Sequence, residues 1–301
     1  SDNMDSAAIR SRVKEIEGFS YSYIGRTLTL DAIAIRSVSG DPETFEKAVS
    51  EVCRNTDLPI ILCSYRPDVI RAGLVVAASR RPLLYAANRN NWRAMAELAS
   101  DYECPLVASA PGDLSLLVSL VKTLQACDIT DIVLDPGTFC DDALAGTIWS
   151  NTAIRRSACR DSDSLLGYPI LSTPIGVWSG PELSDEMNKW QEAYVAGMTM
   201  TRYADLLIMH STDGWVLLPQ LIWRFGLYTD PRKPVSVDAG IRVFGSPGPD
   251  SPVLVTSNYA LTFFTVESDI KASNIDCYLI VIDTGGLSVE AAVAVRYLTA
   301  E

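Results

Sequence analysis

Short apolar runs alternate along the chain with longer segments in which apolar residues recur every three or four positions. The short runs have the length and the β-branched content of buried strands, and the longer segments have the period of helices. The runs begin at Leu58, Pro82, Pro105, Asp131, Tyr168, Asp205 and Lys233. With a further strand near Ile33, this alternation predicts eight β/α repeats, which form a parallel sheet joined by helical crossovers.

The repeats occupy residues 19–240, which we predict to be one domain. A helical lead-in over residues 1–18 precedes it, and residues 19–37 alternate around Gly25 as a hairpin would before the first strand. Helix starts are marked by Asp41 with Pro42 at the first helical position, and by Asn or Asp before two later helices. Eight units in about 220 residues favour an α/β fold of the TIM (β/α)8 barrel type over an open sheet.

The pattern changes after Gly240, where residues 241–252 are rich in Gly and Pro and predict a linker. Residues 253–298 then show one strand–helix–strand–helix unit with a Gly285-Gly286 turn. We therefore predict a partial α/β (Rossmann-like) domain over 241–301. Two strands are too few for an independent core, so this second domain looks cut short.

Composition excludes several classes of partner. The 301-residue chain is 48% apolar and carries a net charge of −12, so nucleic acid and anionic membrane surfaces are unsuitable partners. No apolar run approaches the roughly 20 residues that span a bilayer, and we expect a cytoplasmic protein. The seven cysteines are scattered and never form CxxC, which predicts reduced thiols without a disulfide framework, a zinc site or an iron-sulfur cluster in this chain.

The residues at the carboxyl ends of the predicted strands do not form a recognisable catalytic set. They are Ser64, Asn88, Ser109, Asp135, Thr173, His210, Ser211 and Asp238. This set contains no lysine for Schiff-base chemistry and no group of metal ligands. His210, the only histidine, is more typical of a barrel wall than of catalysis, and Asp135 is either a general base or part of an Asp-Pro-Gly turn.

The second domain offers a different kind of site. Thr256, Ser257 and Asn258 follow its first strand and place small hydrogen-bonding groups beside a helix N-terminus. Such an edge suits the amide side arms of a large planar ligand, although Asn258 is also explained as a simple helix cap. Gly285-Gly286 lacks the spaced GxGxxG fingerprint, so a tight turn is its default interpretation.

Several stretches of the chain resemble a known family. DSPVLVTSNYALTFFTVESDIKAS and YLIVIDTGGLSVEAA are similar to the large subunit of the corrinoid iron-sulfur protein, the gamma subunit of the acetyl-CoA decarbonylase/synthase complex. The barrel stretches RRPLLYAANRNNWRAMAELA, DIVLDPGT, LLGYPILS and LYTDPRKP resemble the same family. The resemblance runs from about Phe19 to about Leu298.

This resemblance implies a methyl carrier of the CO dehydrogenase/acetyl-CoA synthase pathway. Family members bind a cobalamin whose cobalt accepts a methyl group from methyltetrahydropterin and delivers it to acetyl-CoA synthase. The implied partners are the small subunit of the corrinoid iron-sulfur protein, a pterin-dependent methyltransferase and acetyl-CoA synthase. The chemistry then belongs to the cofactor, and we expect no catalytic side chain and no protein metal ligand here.

The resemblance also implies which residues bind the cofactor. Matched by motif, they are Thr256, Ser257, Asn258, Tyr259, Ala260, Leu261, Thr262, Thr284, Gly285, Gly286, Leu287 and Ser288. The family's four-Cys iron-sulfur domain and the end of its corrinoid domain have no counterpart in this sequence. The sequence has no DxHxxG segment, so a histidine ligand to the cobalt is not expected, in line with the base-off cobalamin that the resemblance implies.

Two other hypotheses remain open at this point. One is a self-sufficient barrel enzyme, a pterin-dependent methyltransferase that works through Asp135, Asn88 and Asp238. The other is a scaffold whose barrel docks a partner subunit.

Overall fold

A computed structural model describes residues 1–23, 26–140, 142–180, 183–224 and 236–294. Its internal contacts divide the chain into two compact units, which we call the N-terminal unit (Ser1–Ser20 and Thr29–Gln220) and the C-terminal unit (Tyr21–Leu28 and Leu221–Glu301). The division falls after residue 220, whereas the sequence predicts it after 240. The pairing of residues 236–244, given below, accounts for this difference.

The N-terminal unit is built on parallel strands that follow one another in sequence order. They are β3 (Ile33–Arg36), β4 (Ile60–Cys63), β5 (Leu83–Ala87), β6 (Leu106–Ser109), β7 (Ile132–Asp135), β8 (Leu171–Ser172) and β9 (Leu206–Leu207). Strands β3 to β7 form one sheet, and a parallel bridge between Leu134 and Ile170 continues it toward the β8–β9 pair. Seven of the predicted repeats are therefore confirmed among the described residues.

Helices connect these strands. They are α1 (Ser6–Glu17), α2 (Pro42–Asn55), α3 (Pro67–Ala77), α4 (Trp92–Asp101), α5 (Leu114–Gln125), α6 (Leu144–Arg160), α7 (Asp185–Met200) and α8 (Gly214–Arg224). The Asp41 and Asp113 carboxylates cap α2 and α5 by accepting hydrogen bonds from Thr44 N and Leu116 N. Asn91, at the start of α4, caps no helical N–H. Its side chain instead accepts a hydrogen bond from Asn88 N and so orders the loop after β5.

The strands of the N-terminal unit are covered on both faces. On β4, Ile60 and Leu62 pack in the large cluster with the helices, while Ile61 packs in a second cluster. The other buried members of that second cluster are Ala86, Val107, Leu171 and Ile208, which come from β5, β6, β8 and the residue after β9. The sheet therefore encloses an apolar core of its own, as the sheet of a barrel does. Because both faces of its strands are buried, the strands appear in the sequence as unbroken apolar runs.

The segment that begins at Lys233 was predicted to be the eighth strand of the barrel, and this prediction is wrong. Residues 233–235 lie outside the described part of the chain, but Ser236 forms an antiparallel bridge with Tyr259, and Val237 N donates to Asn258 O at 2.8 Å. Asp238 is exposed and belongs to the C-terminal unit. An alternating segment such as this one can pair with any strand edge, and here it pairs within the second unit.

The C-terminal unit contains a three-stranded sheet in the order β10-β12-β11. Its elements are β10 (Gly240–Phe244), β11 (Val253–Ser257), α9 (Ala260–Ser273), β12 (Cys277–Ile282) and α10 (Val289–Ala294). The predicted strand–helix–strand–helix order is present. The predicted linker is wrong over its first residues, since β10 pairs antiparallel with β12 and supplies a third strand.

Two further predictions touch residues outside the described part of the chain. The N-terminal hairpin is present as β1 (Ser20–Tyr23) and β2 (Arg26–Thr29), but Gly25 at its turn is not described. The last predicted helix is described only as far as residue 294, and the family-like stretch LYTDPRKP lies within 225–235, also outside. None of the helices in the described ranges has the length and apolarity to cross a bilayer.

Within residues 236–294, apolar packing covers one face of the sheet of the C-terminal unit. There Phe263 and Ile270 of α9 pack on Leu279 and Val281 of β12. The other face carries two apolar rows, each running across all three strands, Ile241–Ile280–Val255 and Val243–Tyr278–Val253. The outer members of these rows are 55 to 64% exposed, and we call this surface the open sheet face.

Candidate functional site

Asp135 is the centre of a hydrogen-bonded network at the end of β7. Its side chain is buried and accepts hydrogen bonds from Tyr85 Oη at 2.9 Å, Ser109 Oγ at 2.8 Å and Gly137 N at 2.9 Å. Tyr85 Oη in turn lies 3.2 Å from the hydroxyl of Tyr65, which is 48% exposed. The network joins the carboxyl ends of β5, β6 and β7.

Burial controls the protonation of this network. Desolvation raises the pKa of Asp135, and the hydrogen bonds from Ser109, Gly137 and Tyr85 oppose that rise only in part. Desolvation, followed by the neighbouring Asp135, also raises the pKa of Tyr85. Both carboxylate oxygens of Asp135 already accept bonds from protein donors, which favours its structural interpretation over that of a general base.

The other predicted strand-end residues are mostly used to shape loops. Ser64 Oγ accepts from Arg66 N, Asn88 Oδ1 accepts from Asn90 N, and Thr173 N donates to Thr138 Oγ1. The structure thus brings Ser109 and Asp135 into direct contact. Next to Asn88 lies a cavity of about 300 Å³ that is lined by Asn88, Arg89, Asn90, Ser109, Ala110, Pro111, Asp113 and Leu116.

The sequence did not predict the buried carboxylate that lies beside His210. Glu192 on α7 is fully buried and accepts hydrogen bonds from the backbone N–H groups of His210 and Ser211. The His210 ring lies edge-on against Trp178, with ring centroids 4.5 Å apart. The signal was available, because residue 192 shares a helical face with the buried residues Val195 and Thr199.

In the C-terminal unit, Asn258 ties together the two loops at the carboxyl ends of β11 and β12. Its Oδ1 accepts hydrogen bonds from Thr284 N at 3.1 Å and Gly286 N at 3.0 Å, and its Nδ2 donates to Asp283 Oδ1 at 3.0 Å. Of the two interpretations of Asn258, the helix cap is wrong, since α9 begins after Tyr259 and has no side-chain cap. Asn258 therefore holds two sequence-distant loops in place rather than a helix end.

The twelve predicted cofactor residues lie at the end of β11, on these two adjoining loops and in the first turn of α9. Thr256, Ser257, Asn258, Ala260, Thr284 and Gly286 are buried, whereas Leu261 and Gly285 are exposed. The remaining four, Tyr259, Thr262, Leu287 and Ser288, are half-buried. The set thus has a buried base and an accessible rim.

Two hydroxyls in the base have no hydrogen-bond partner. They are Thr256 Oγ1 and Ser257 Oγ, in side chains that are at most 1% exposed. Buried hydroxyls nearly always have a partner, and these two are consecutive in β11 and so point to opposite faces of the sheet. Each of them therefore lacks a polar neighbour on its own face. Across the described ranges, no group of three or more His, Cys, Asp or Glu side chains is arranged to hold a metal ion.

A family model described as "CdhD: CO dehydrogenase/acetyl-CoA synthase delta subunit" matches residues 1–301. Among curated relatives, subunit gamma of the acetyl-CoA decarbonylase/synthase complex of Methanosarcina acetivorans is 46% identical over 301 residues. Subunit gamma 1 of the same complex from Methanosarcina mazei is 44% identical over 301 residues. The chain is covered completely in both comparisons and spans 64% of the length of each relative.

Solved structures give the fold. Dihydropteroate synthase from Thermus thermophilus superposes with a TM-score of 0.55 at 17% identity, over 73% of this chain and 88% of that enzyme. The Xanthomonas albilineans enzyme in complex with 7,8-dihydropteroate gives 0.54 at 18% identity, over 74% of this chain and 84% of that one. At such identities the likeness concerns the fold alone, which is α/β with a parallel sheet, similar to the TIM barrel of dihydropteroate synthase.

Proposed function

Because the chain belongs to the CdhD family of CO dehydrogenase/acetyl-CoA synthase subunits, we propose that it is a corrinoid-carrying subunit of the acetyl-CoA decarbonylase/synthase complex. Its identity of 44 to 46% to gamma subunits favours the gamma type over the delta type that the family description names. In this role it receives a methyl group from a methyltetrahydropterin-dependent methyltransferase and passes it to acetyl-CoA synthase. The observation that carries the proposal is the loop pair around Asn258.

The residues of this loop pair suit a corrinoid. The ring carries amide side arms, and a hydroxyl such as Thr256 Oγ1 or Ser257 Oγ can either donate to or accept from an amide. Leu261 is 46% exposed and offers an apolar contact for the ring at the rim. Small shifts of the two loops are needed for the side arms to reach the buried hydroxyls. When bound, the corrinoid supplies the cobalt that carries the methyl group.

The protein's own contribution is to bind and orient the ring. Asn258 fixes the spacing of the two loops through four hydrogen bonds, one of them from the Thr284 hydroxyl, so the Gly285-Gly286 turn keeps a constant separation from the end of β11. The only histidine, His210, belongs to the N-terminal unit. The described residues of the C-terminal unit therefore include no imidazole that could bind the cobalt in place of the cofactor's own base.

A titration with cobinamide, followed by visible absorbance, tests this proposal. We expect a saturable spectral shift with the unaltered chain and a loss of affinity of about tenfold or more with Leu261→Lys, because the new ammonium places a charge at an apolar contact. Ile275→Lys is the matched control: Ile275 is 43% exposed and precedes β12, at the opposite edge of the same sheet. No shift with the unaltered chain, or equal losses in both variants, would refute corrinoid binding at this edge.

A pterin-dependent methyltransferase is the second candidate, and the cavity beside Asn88 favours it. Of the three residues assigned to that activity, only Asn88 lines the cavity, while Asp135 is enclosed by its donors and Asp238 belongs to the C-terminal unit. Titration with tetrahydrofolate separates the candidates. Binding of the pterin that Asn88→Ala abolishes, in a chain that does not bind cobinamide, would favour the enzyme over the carrier.

A further inference from the structure

The parallel strands of the N-terminal unit leave a gap between β3 and β9. Among the described strands, β3 pairs only with β4, and β9 pairs only with β8. Each strand of a closed barrel pairs with two neighbours, so this gap is the place that an eighth strand would occupy. We call the gap between β3 and β9 the seam.

The seam is an entrance to the interior of the barrel. Ala34 and Arg36 of β3 are exposed, and they pair in register with Ile61 and Cys63 of β4. Neighbours in register point to the same face of a sheet, and Ile61 belongs to the cluster inside the barrel. Solvent therefore reaches the inner face of β3, while Cys63, which is half-buried, lies one strand further from the seam.

Residues 1–17, which contain α1, are attached to the β3 side of the seam by Asp2. The backbone N–H of Asp2 donates to Arg36 O at 3.1 Å. Ser37 N donates to Cys63 O of β4, and alternate residues of a parallel strand direct their backbone groups to opposite edges. Arg36 O therefore faces the seam, and Asp2 pairs with that edge of β3.

The side chain of Asp2 strengthens this attachment. Asp2 is 3% exposed, and its carboxylate accepts hydrogen bonds from Ser37 Oγ, Val38 N, Ser39 N and Ser39 Oγ at 2.6 to 3.1 Å. All four donors lie in the loop after β3. Releasing Asp2 would break four hydrogen bonds to a charged group, so this end of the segment is firmly held.

On the other side of the seam, α1 is attached to the loop after β9. Arg12 donates to Thr212 Oγ1 at 2.9 Å and to His210 O, and Thr212 Oγ1 in turn donates to Glu15. Glu192 fixes the loop itself by accepting hydrogen bonds from its backbone N–H groups. We call the contacts of Arg12 and Glu15 with Thr212 the latch.

The latch is the weaker of the two attachments. The side chains of Arg12 and Glu15 are 29 and 52% exposed, and exposed charged contacts contribute little to stability. Between the latch and Asp2, Ile9 and Val13 are buried in the large apolar cluster. Because Asp2 is held by buried hydrogen bonds, α1 should separate first at the latch.

We propose that residues 1–17 form a strap that releases at the latch, stays attached at Asp2 and thereby widens the entrance at the seam. The strap regulates how readily a small molecule reaches the inner faces of β3 and β4. This device lies within the N-terminal unit and is independent of corrinoid binding.

Labelling with iodoacetamide, quantified for each cysteine by mass spectrometry, tests the strap. Val13→Cys places one reporter thiol on the buried face of α1, where Val13 is 2% exposed. The native Cys63 is the second reporter. Burial raises the pKa of the Cys63 thiol to about 12, so it reacts slowly while the strap is closed.

Thr212→Val should raise the labelling rates of both reporter thiols by about tenfold. It removes the hydroxyl that joins Arg12 to Glu15, and two hydrogen bonds between partly exposed groups are worth an effect of that size. Cys63 is read both with and without Val13→Cys, so the test does not depend on the folding of the reporter variant.

Arg10→Ala is the matched control. Arg10 lies on the same helix and pairs with Glu51 of α2 at 2.7 Å, so its ion pair does not cross the seam, and labelling should stay unchanged. Cys104, which is 4% exposed in the same unit, reports global unfolding and should keep its labelling rate in every variant.

Four results would overturn the proposal. Thr212→Val leaves the thiol at position 13 as protected as before; that thiol reacts faster but Cys63 does not; Cys104 accelerates together with both reporters; or Arg10→Ala has the same effect as Thr212→Val. The second result would mean that α1 separates without widening the entrance, and the third that the whole unit unfolds.

Discussion

The two units differ in how much of each sheet face is buried. In the N-terminal unit, residues on both faces of β4 and β6 are buried in apolar clusters. In the C-terminal unit, β11 buries Leu254 toward α9, while Val253 and Val255 on its other face stay more than half exposed. A sheet with parallel strands is ordinarily covered on both sides. The sheet of the N-terminal unit is thus buried on both faces, whereas the sheet of the C-terminal unit exposes the apolar side chains of its open sheet face.

The carboxyl ends of the strands differ in the same way. At the end of β7, both oxygens of Asp135 accept hydrogen bonds from protein donors. At the end of β11, the Thr256 and Ser257 hydroxyls have no partner. Polar groups at strand ends are the usual ligand contacts of α/β folds. The contrast holds for these two strand ends only, because the Ser172 and Ser211 hydroxyls of the N-terminal unit also have no partner. It assigns a structural role to Asp135 and leaves the β11 hydroxyls available for a ligand.

The largest loss of stability should come from creating a cavity in the core of the N-terminal unit. Leu106→Ala removes a fully buried side chain of β6 and should cost about 2 to 5 kcal/mol of unfolding free energy. Val255→Ala on the open sheet face should cost less than about 0.5 kcal/mol, since Val255 is 55% exposed.

Urea unfolding measures these two changes. Tryptophan fluorescence follows the N-terminal unit, because five of the six tryptophans lie there, and far-UV circular dichroism follows both units. Similar costs for the two variants would show that the open sheet face is covered in solution, and would remove the contrast between the units.

The sequence could predict the strands of the N-terminal unit because strands buried on both faces form unbroken apolar runs. It could not predict the partner of the segment that contains Val237. An alternating pattern identifies a strand without identifying its neighbour. Strand β10 was missed for a related reason: residues 240–244 adjoin a Gly- and Pro-rich stretch and read as part of it.

Of the candidate site, the sequence pointed to Asn258 but not to its partners. The groups that it binds at Asp283, Thr284 and Gly286 are 25 to 28 residues away, and local propensity carries no information on such contacts. Glu192 was missed because a carboxylate within a helix is normally exposed. Its position on the apolar face of α7 was the one available signal.

A smaller loss of stability is expected when Asn258 is substituted. Asn258→Ala leaves the backbone N–H groups of Thr284 and Gly286 without an acceptor, which should cost the C-terminal unit about 2 to 3 kcal/mol. Asn258→Asp keeps the acceptor but places its carboxylate beside Asp283, so its cost should grow as pH rises above about 4. Amide hydrogen exchange at Thr284 and Gly286 measures both. Unchanged exchange in Asn258→Ala would mean that the loops are held by other contacts.

The smallest effect is a pH dependence at Asp135, measured as the difference in unfolding free energy between the unaltered chain and Asp135→Asn. Burial raises the pKa of Asp135 in the folded state, so the neutral form is favoured by folding. The stability that it contributes is present below the unfolded-state pKa of about 3.9 and is lost as pH rises through the higher folded-state value. At about pH 4, Asn should therefore be worse than Asp by about 1 kcal/mol, since the amide nitrogen accepts no hydrogen bond, whereas the hydroxyl oxygen of the neutral acid still can. That difference should shrink as the pH approaches 8.

Ser109→Ala should leave the direction of this pH dependence unchanged, because burial remains the dominant cause of the raised pKa of Asp135. A difference that grew with pH would mean that hydrogen bonds from Ser109, Gly137 and Tyr85 outweigh desolvation, and that Asp135 is held as a carboxylate.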